Sequence, residues 1–187
     1  MTIEQEKEKI RALMRSKLKL ETPKERLNKS FVIATKLQKI SDFKKAKTIM
    51  FYYSTDEEVN TLPLMNRVLL EGKKVVLPYV DKTEHKIIPS VVRDLDQDLI
   101  KGSYGIMEPK PERHQRIPLS EIDLVLVPAL AFDHSKYRLG RGKGFYDRFL
   151  SKLPRDTMTF GLAFDFQIVE TLPVTELDIP VIKVIHN

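Results

Sequence analysis

Apolar residues recur at helical spacing near the start of the chain. Ile10, Leu13, Met14 and Leu18 follow one another at intervals of one, three or four residues, and Thr2 stands ahead of them as a helix cap. This pattern predicts a first helix with one face turned toward a core.

A second helix is predicted after Thr22, because a capping threonine followed by Pro23 is typical of a helix start and Glu25 places an acid in the first turn. The apolar positions that we expect to form its buried stripe are Leu27, Phe31, Ala34, Leu37 and Ile40.

Beyond this helical pair, short apolar runs alternate with helical segments. The runs predict strands at residues 48–54, 74–80, 87–92, 123–130, 158–164 and 181–185, and the intervening pattern predicts helices at 62–70 and 145–153. The strand at 87–92 is the weakest and is expected to form a hairpin-like excursion. Strands alternating with helices predict an α/β fold, with a mostly parallel central sheet between two helical layers. We expect a single domain over residues 1–187, with the helical pair at 1–40 as part of it.

Composition places the chain among ordinary globular proteins. It has 187 residues, 42% of them hydrophobic and 31% charged, and it contains no cysteine. Disulfides, thiolate metal sites and cysteine nucleophiles are therefore excluded. No apolar run approaches the roughly 18 residues of a membrane span, and the first segment, rich in glutamate, does not resemble a secretory signal. We expect a cytoplasmic protein without a membrane partner.

The formal net charge of +6 would favour nucleic acid if it were spread over the protein. Residues 1–50, however, hold 14 of the 32 Lys and Arg but only 6 of the 26 Asp and Glu. The excess belongs to the helical pair, where lysines commonly form a solvated face. We therefore expect no nucleic-acid partner.

The stretch RLGRGKGFYDRFL, residues 138–150, carries the strongest chemical signal. Gly140, Gly142 and Gly144 occupy every second position, and Arg141 and Lys143 lie between them. Glycines allow backbone amides to approach a polyphosphate, and the cations supply the charge. The stretch follows a buried strand and precedes a helix, which is where open parallel sheets bind ligands.

Asp147 is the carboxylate within this basic stretch. A carboxylate beside a phosphate loop suits Mg²⁺, although Asp147 could instead favour the helix dipole or pair with Arg148. An RNA-binding strand is disfavoured, because Asp147 falls where a stacking aromatic is needed. The residues alone thus indicate ATP or a phosphorylated ligand with Mg²⁺.

Residues 127–133 and 138–147 together resemble the signature of the 5-formyltetrahydrofolate cyclo-ligase family, also called 5,10-methenyltetrahydrofolate synthetases. Lys7 and Arg11 in the first helix are similar to that family, as are Tyr53-Ser54 and residues 58–61, 105–109 and 172–174. The similarity extends over nearly the whole chain, in the expected order.

The resemblance implies a three-layer α/β fold and an ATP- and Mg²⁺-dependent reaction. It implies that 5-formyltetrahydrofolate and ATP give 5,10-methenyltetrahydrofolate, ADP and phosphate. The formyl oxygen would attack the γ-phosphate, and N10 would then close the ring. The expected partners are these two small molecules, and we expect a monomer.

The resemblance also implies roles for individual positions. Arg141 and Lys143 would be catalytic, and Asp147 and Asp178 would bind the metal. Folate would contact Tyr53, Glu58, Arg141, Gly142, Lys143, Gly144 and Phe145. ATP would contact two segments, namely Lys7, Glu8, Lys9, Ile10 and Arg11, then Arg138, Leu139, Gly140, Arg141, Gly142, Lys143, Gly144, Phe145 and Tyr146.

Two departures from the family pattern are visible. Phe145 stands where many members have a tyrosine, and Ile182 and Lys183 follow Asp178 where another acid is common. Two alternatives remain open: another ATP-dependent small-molecule kinase or ligase, and a non-catalytic module that binds nucleotide or RNA.

Overall fold

The computed structural model describes residues 2–81, 83–102 and 105–187. Its helices are α1 (Ile3–Leu20), α2 (Pro23–Lys39), α3 (Ser41–Lys45), α4 (Leu62–Leu70) and α5 (Phe145–Leu150). Its strands are β1 (Thr48–Met50), β2 (Lys74–Asp81), β3 (Lys86–Val92), β4 (Leu99–Lys101), β5 (Met107–Pro109), β6 (Gln115–Arg116), β7 (Leu124–Val127), β8 (Ala131–Asp133), β9 (Arg138–Leu139), β10 (Met158–Ala163), β11 (Ile168–Val169) and β12 (Lys183–His186).

Within these residues the main sheet has seven strands in the order β12-β10-β7-β1-β2-β3-β6. The pairings from β12 through β2 are parallel, and β3 pairs antiparallel with both β2 and β6. The mostly parallel sheet is confirmed, and so is the hairpin-like excursion at β3. Single-domain organisation is confirmed too.

Alternate strand residues bury on opposite faces of this sheet. Ile49 and Leu124 belong to a core cluster that also contains residues of α1, α2 and α4, whereas Met50 and Val125 pack with Phe149 of α5. Both faces of the sheet are therefore covered. The layer on the α5 side is thin, since α5 has six residues.

The helix starts follow the predicted capping chemistry. Thr2 and Thr22 each form a capping box, with Gln5 and Glu25 as the reciprocal partners. Gly72, at φ +73°, follows the end of α4.

None of the helices in the described parts of the chain is both long and apolar enough to cross a lipid bilayer.

The predicted buried stripes were partly wrong. Leu27 and Phe31 of α2 are 56% and 74% exposed, and Leu13 of α1 is 50% exposed. The core-facing side of α2 includes Ser30, which is buried because its Oγ accepts a hydrogen bond from the Asn60 amide at 3.0 Å. The buried side of α2 therefore runs through Ser30, Ile33 and Leu37 rather than through Leu27 and Phe31.

Candidate functional site

The glycine-rich loop runs from β9 to α5 and needs its glycines. Gly142 and Gly144 have φ values of +97° and +63°, a region that other residues rarely adopt. A Cβ added at Gly144 would lie 2.8 Å from Nη1 of Arg148. The loop conformation is therefore specified by the sequence at these two positions.

Arg11 docks α1 against this loop. Its Nε donates to the carbonyl of Gly140 at 3.1 Å, and its Nη1 pairs with Glu4 at 2.6 Å and Glu8 at 3.0 Å. Burial lowers the pKa of Arg11, but the two carboxylates outweigh burial and the net pKa is raised. Arg11 is thus a permanent, 5% exposed cation at the base of the loop.

Lys7, one helical turn before Arg11, is paired with Asp178. Its Nζ lies 2.9 Å from Oδ1 and 2.7 Å from Oδ2, and the two side chains are 12% and 13% exposed. Burial raises the pKa of Asp178, yet hydrogen bonds from Lys7 and Thr175 lower it overall. The structure therefore joins a predicted ATP-binding residue to a predicted metal ligand.

The other three helical candidates have different surroundings. Glu8 is exposed and pairs with Arg11 and Arg15, Lys9 is exposed, and Ile10 is half-buried against the main core. Of the predicted segment at residues 7–11, Lys7 and Arg11 are the members whose side chains contact the loop or Asp178.

Asp147 forms an ion pair with Arg138 behind the loop. Asp147 Oδ2 lies 2.8 Å from Arg138 Nη2, and Asp147 Oδ1 accepts from the Ile179 amide at 3.3 Å. The Arg138 side chain is 4% exposed and Asp147 is 20% exposed. Burial lowers the pKa of Arg138, and Asp147 opposes this effect. The alternative pairing of Asp147 with Arg148 does not form, because Arg148 donates to the carbonyls of His85 and Lys143.

The two aromatic residues after the loop stack against arginines. The Arg138 guanidinium lies 5.4 Å from the Tyr146 ring centre, and Arg148 lies 5.3 Å from that of Phe145. The Tyr146 hydroxyl is buried without a hydrogen-bond partner among the described residues. Burial and the nearby charge of Glu58 raise the pKa of Tyr146, so the hydroxyl stays protonated and can donate.

Arg141 reaches from the loop to the segment that follows β1. Its Nη2 lies 3.5 Å from Glu58 Oε1 and 3.7 Å from Glu57 Oε2, with the Arg141 side chain 53% exposed. Glu58 is held from the other side, since its Oε2 accepts from the Thr55 amide at 2.9 Å and the Thr55 hydroxyl at 3.1 Å. The predicted catalytic and folate-binding residues thus meet.

Lys143, Leu139 and Tyr53 complete the predicted set. Lys143 is exposed on the loop, and Leu139 is buried in the main core. Tyr53 lines a cavity of about 340 Å³ together with Leu62, Asn66 and Leu95.

Sequence reasoning missed the threonines that hold the acids. Thr175 donates its amide and hydroxyl to Asp178 at 2.6 and 2.9 Å, as Thr55 does to Glu58. Both pairs have a threonine three residues before a carboxylate, the spacing that also forms the capping box at Thr22. That repeated spacing was the available signal. Glu57 was missed as well, and no local pattern marks it.

The comparisons with known proteins all indicate the same family. Residues 3–187 match the 5-formyltetrahydrofolate cyclo-ligase family. The chain is 32% identical to the 5-formyltetrahydrofolate cyclo-ligase of Escherichia coli K12, over 92% of this chain and 96% of that protein. It is 28% identical to the mouse protein of the same name, over 100% and 96% of the two chains. The solution structure of Aquifex aeolicus 5,10-methenyltetrahydrofolate synthetase superposes with a TM-score of 0.83 at 34% identity, covering 96% of this chain and 88% of that one.

Proposed function

Because the chain belongs to the 5-formyltetrahydrofolate cyclo-ligase family, we propose that it closes the ring of 5-formyltetrahydrofolate to give 5,10-methenyltetrahydrofolate, converting ATP to ADP and phosphate. One observation carries the proposal. Arg11 fixes α1 to the glycine loop, and Arg141 extends from the same loop to Glu58. The residues proposed for ATP and those proposed for folate therefore face one another across Arg141.

The nucleotide would lie along the glycine loop. Arg141 and Lys143 are exposed there, and Gly142 leaves its backbone open to phosphate oxygens. Arg11 and Arg138 are buried beneath the loop, so their contribution is to fix its shape and its positive field.

The folate would lie on the side of Glu58. A carboxylate that is already held by Thr55 can accept from the amino and ring N–H groups of a pterin in fixed geometry. Glu58 would have to exchange its contact with Arg141 for these donors, and at 3.5 Å that contact is long enough to be replaced easily. Tyr53 would contribute through the cavity that it lines.

The chemistry needs positioning more than a nucleophilic side chain. The formyl oxygen attacks the γ-phosphate, which makes a phosphorylated intermediate and ADP. N10 then attacks the activated carbon and loses its proton, and the phosphate leaves with the former formyl oxygen. Arg141, freed from Glu58, and Lys143 neutralise charge on the transferring group. The Tyr146 hydroxyl, protonated and without a partner among the described residues, is a further donor near Glu58.

The acids behind the loop fit a magnesium ion on chemical grounds. Asp147 and Asp178 supply carboxylate oxygens, and the amide next to Asp178 already donates to Asp147. No group of three or more His, Asp or Glu side chains suited to a metal occurs among the described residues, so phosphate oxygens and water would complete the coordination. Bound there, Mg²⁺ would neutralise phosphate charge.

The test is to incubate the purified protein with 5-formyltetrahydrofolate, ATP and Mg²⁺ and to follow the near-ultraviolet absorbance of the methenyl product. We expect product only when both substrates are present, with one ADP per ring closed. Accumulation of a phosphorylated folate without ring closure would favour the kinase alternative, and absence of any product would refute the proposal.

A further inference from the structure

Lys7 and Asp178 form a partly buried ion pair between segments 171 residues apart. The ammonium of Lys7 contacts both carboxylate oxygens, at 2.9 and 2.7 Å, and the two side chains are 12% and 13% exposed. Asp178 Oδ2 also accepts from the amide and hydroxyl of Thr175, whereas among the described residues Lys7 is the donor to Oδ1. Lys7 therefore occupies the face of the carboxylate that a metal ion would need.

The neighbouring ion pair differs in mobility. Arg138 is 4% exposed and its guanidinium lies 5.4 Å from the Tyr146 ring centre, so the surrounding residues enclose it next to Asp147. Lys7 lies in the second turn of a surface helix, and its ammonium is a point charge on a flexible four-carbon stem. Arg138 is therefore held in place, whereas Lys7 can move away from Asp178.

The different freedom of Arg138 and Lys7 matters because of the net charge at this site. Arg138, Lys7, Asp147 and Asp178 together are neutral. A divalent cation added to this set would bring unfavourable excess charge unless Lys7 moved away, and an arriving polyphosphate offers Lys7 a new anion. We propose that Lys7 is a built-in substitute for the metal: it neutralises Asp178 in the free protein and is exchanged when metal and nucleotide bind together.

The exchange rests on the proposed function, since it assumes that a metal–nucleotide complex binds here. It makes Lys7 a positioning residue that suppresses binding of the metal alone. Removal of Lys7 should therefore strengthen binding of a bare divalent cation, while a lysine with a purely structural role would have the opposite effect or none.

The experiment titrates the protein with Mn²⁺ alone, without ATP or folate, and measures free Mn²⁺ by electron paramagnetic resonance. We expect Lys7→Met to bind Mn²⁺ about tenfold or more tightly than the wild type, because removal of a close cation at low dielectric is worth at least that factor. Lys7→Arg keeps the charge and should match the wild type. Lys19→Met, which removes an exposed cation from the same helix, should also match it.

The double variant Lys7→Met/Asp178→Asn locates the ion, and circular dichroism confirms that each variant is folded. Loss of the gained affinity in the double variant supports the exchange. Equal or weaker Mn²⁺ binding by Lys7→Met overturns it, and so does a gain that survives Asp178→Asn. These outcomes are independent of folate cyclisation, so failure of the cyclisation assay would not be confused with failure of the exchange.

Discussion

The ion pair behind the glycine loop leads to a stability prediction for Asp147→Asn. Asparagine keeps the shape of the side chain and can still accept from the Ile179 amide, so the substitution removes little besides the charge. Arg138 would then remain buried as a cation without its hydrogen-bonded counter-ion, beside the Tyr146 ring and with Asp178 as a longer-range charge.

The magnitude follows from the burial of the two partners. Removal of one member of a buried ion pair costs about 3 to 5 kcal/mol. Asp147 is 20% exposed, which allows water to reach the site and favours the lower end, about 3 kcal/mol. For a chain of this length, that corresponds to a melting temperature lower by roughly 6 to 12 °C.

The assay is urea unfolding at neutral pH, with Asp156→Asn as the control because Asp156 is an exposed acid. The double variant Arg138→Met/Asp147→Asn removes both charges and should cost less than the sum of the single changes. If Asp147→Asn lowers the free energy of unfolding by less than about 1 kcal/mol, the size of a surface pair, the reasoning about a buried pair is refuted.

Three further predictions concern the loop, the sheet and pH. Arg141→Ala should lower the cyclisation rate roughly 10²-fold, on the scale of a lost charge-stabilising donor, and an unchanged rate would remove Arg141 from the site. Gly161→Ala places a Cβ 2.4 Å from the Phe132 ring and should cost about 1 to 3 kcal/mol; a wild-type urea midpoint would contradict this. The fold holds the Asp178 pKa below its ordinary 3.8, so the charged carboxylate stabilises the protein above that pH and the contribution is lost as the pH falls below it. Asp178→Asn should therefore destabilise the protein at pH 7, and in urea titrations its difference from the wild type should shrink as the pH is lowered below 3.8, whereas a pH-independent difference would argue against the ion pair.

Local features of the fold were predictable because they depend on residues close in sequence. The capping threonines, the buried strand at β7 and the glycine loop all follow from short patterns. The buried face of α2 was not predictable, because the hydrogen bond between Ser30 and Asn60 joins residues 30 positions apart. Leu27 and Phe31 kept the apolar spacing of a core face and yet remained exposed.

In the candidate site, too, local features could be predicted from the sequence and long-range contacts could not. The residue types of the loop predict a place for phosphate, since glycines and cations act locally. The partners of the charged side chains depend on tertiary structure: Lys7 meets Asp178, and Arg141 meets Glu58. No helical or strand periodicity connects such positions, so the sequence could nominate these residues but not pair them.

The central claim is that ATP activates the formyl oxygen and that this oxygen leaves with the phosphate. The most direct test uses 5-formyltetrahydrofolate with a heavy oxygen isotope in the formyl group, followed by mass spectrometry of the inorganic phosphate released by the protein and ATP. The account predicts one labelled oxygen in phosphate for each methenyl product formed. Release of unlabelled phosphate alongside the methenyl product, with the label in water, would contradict it.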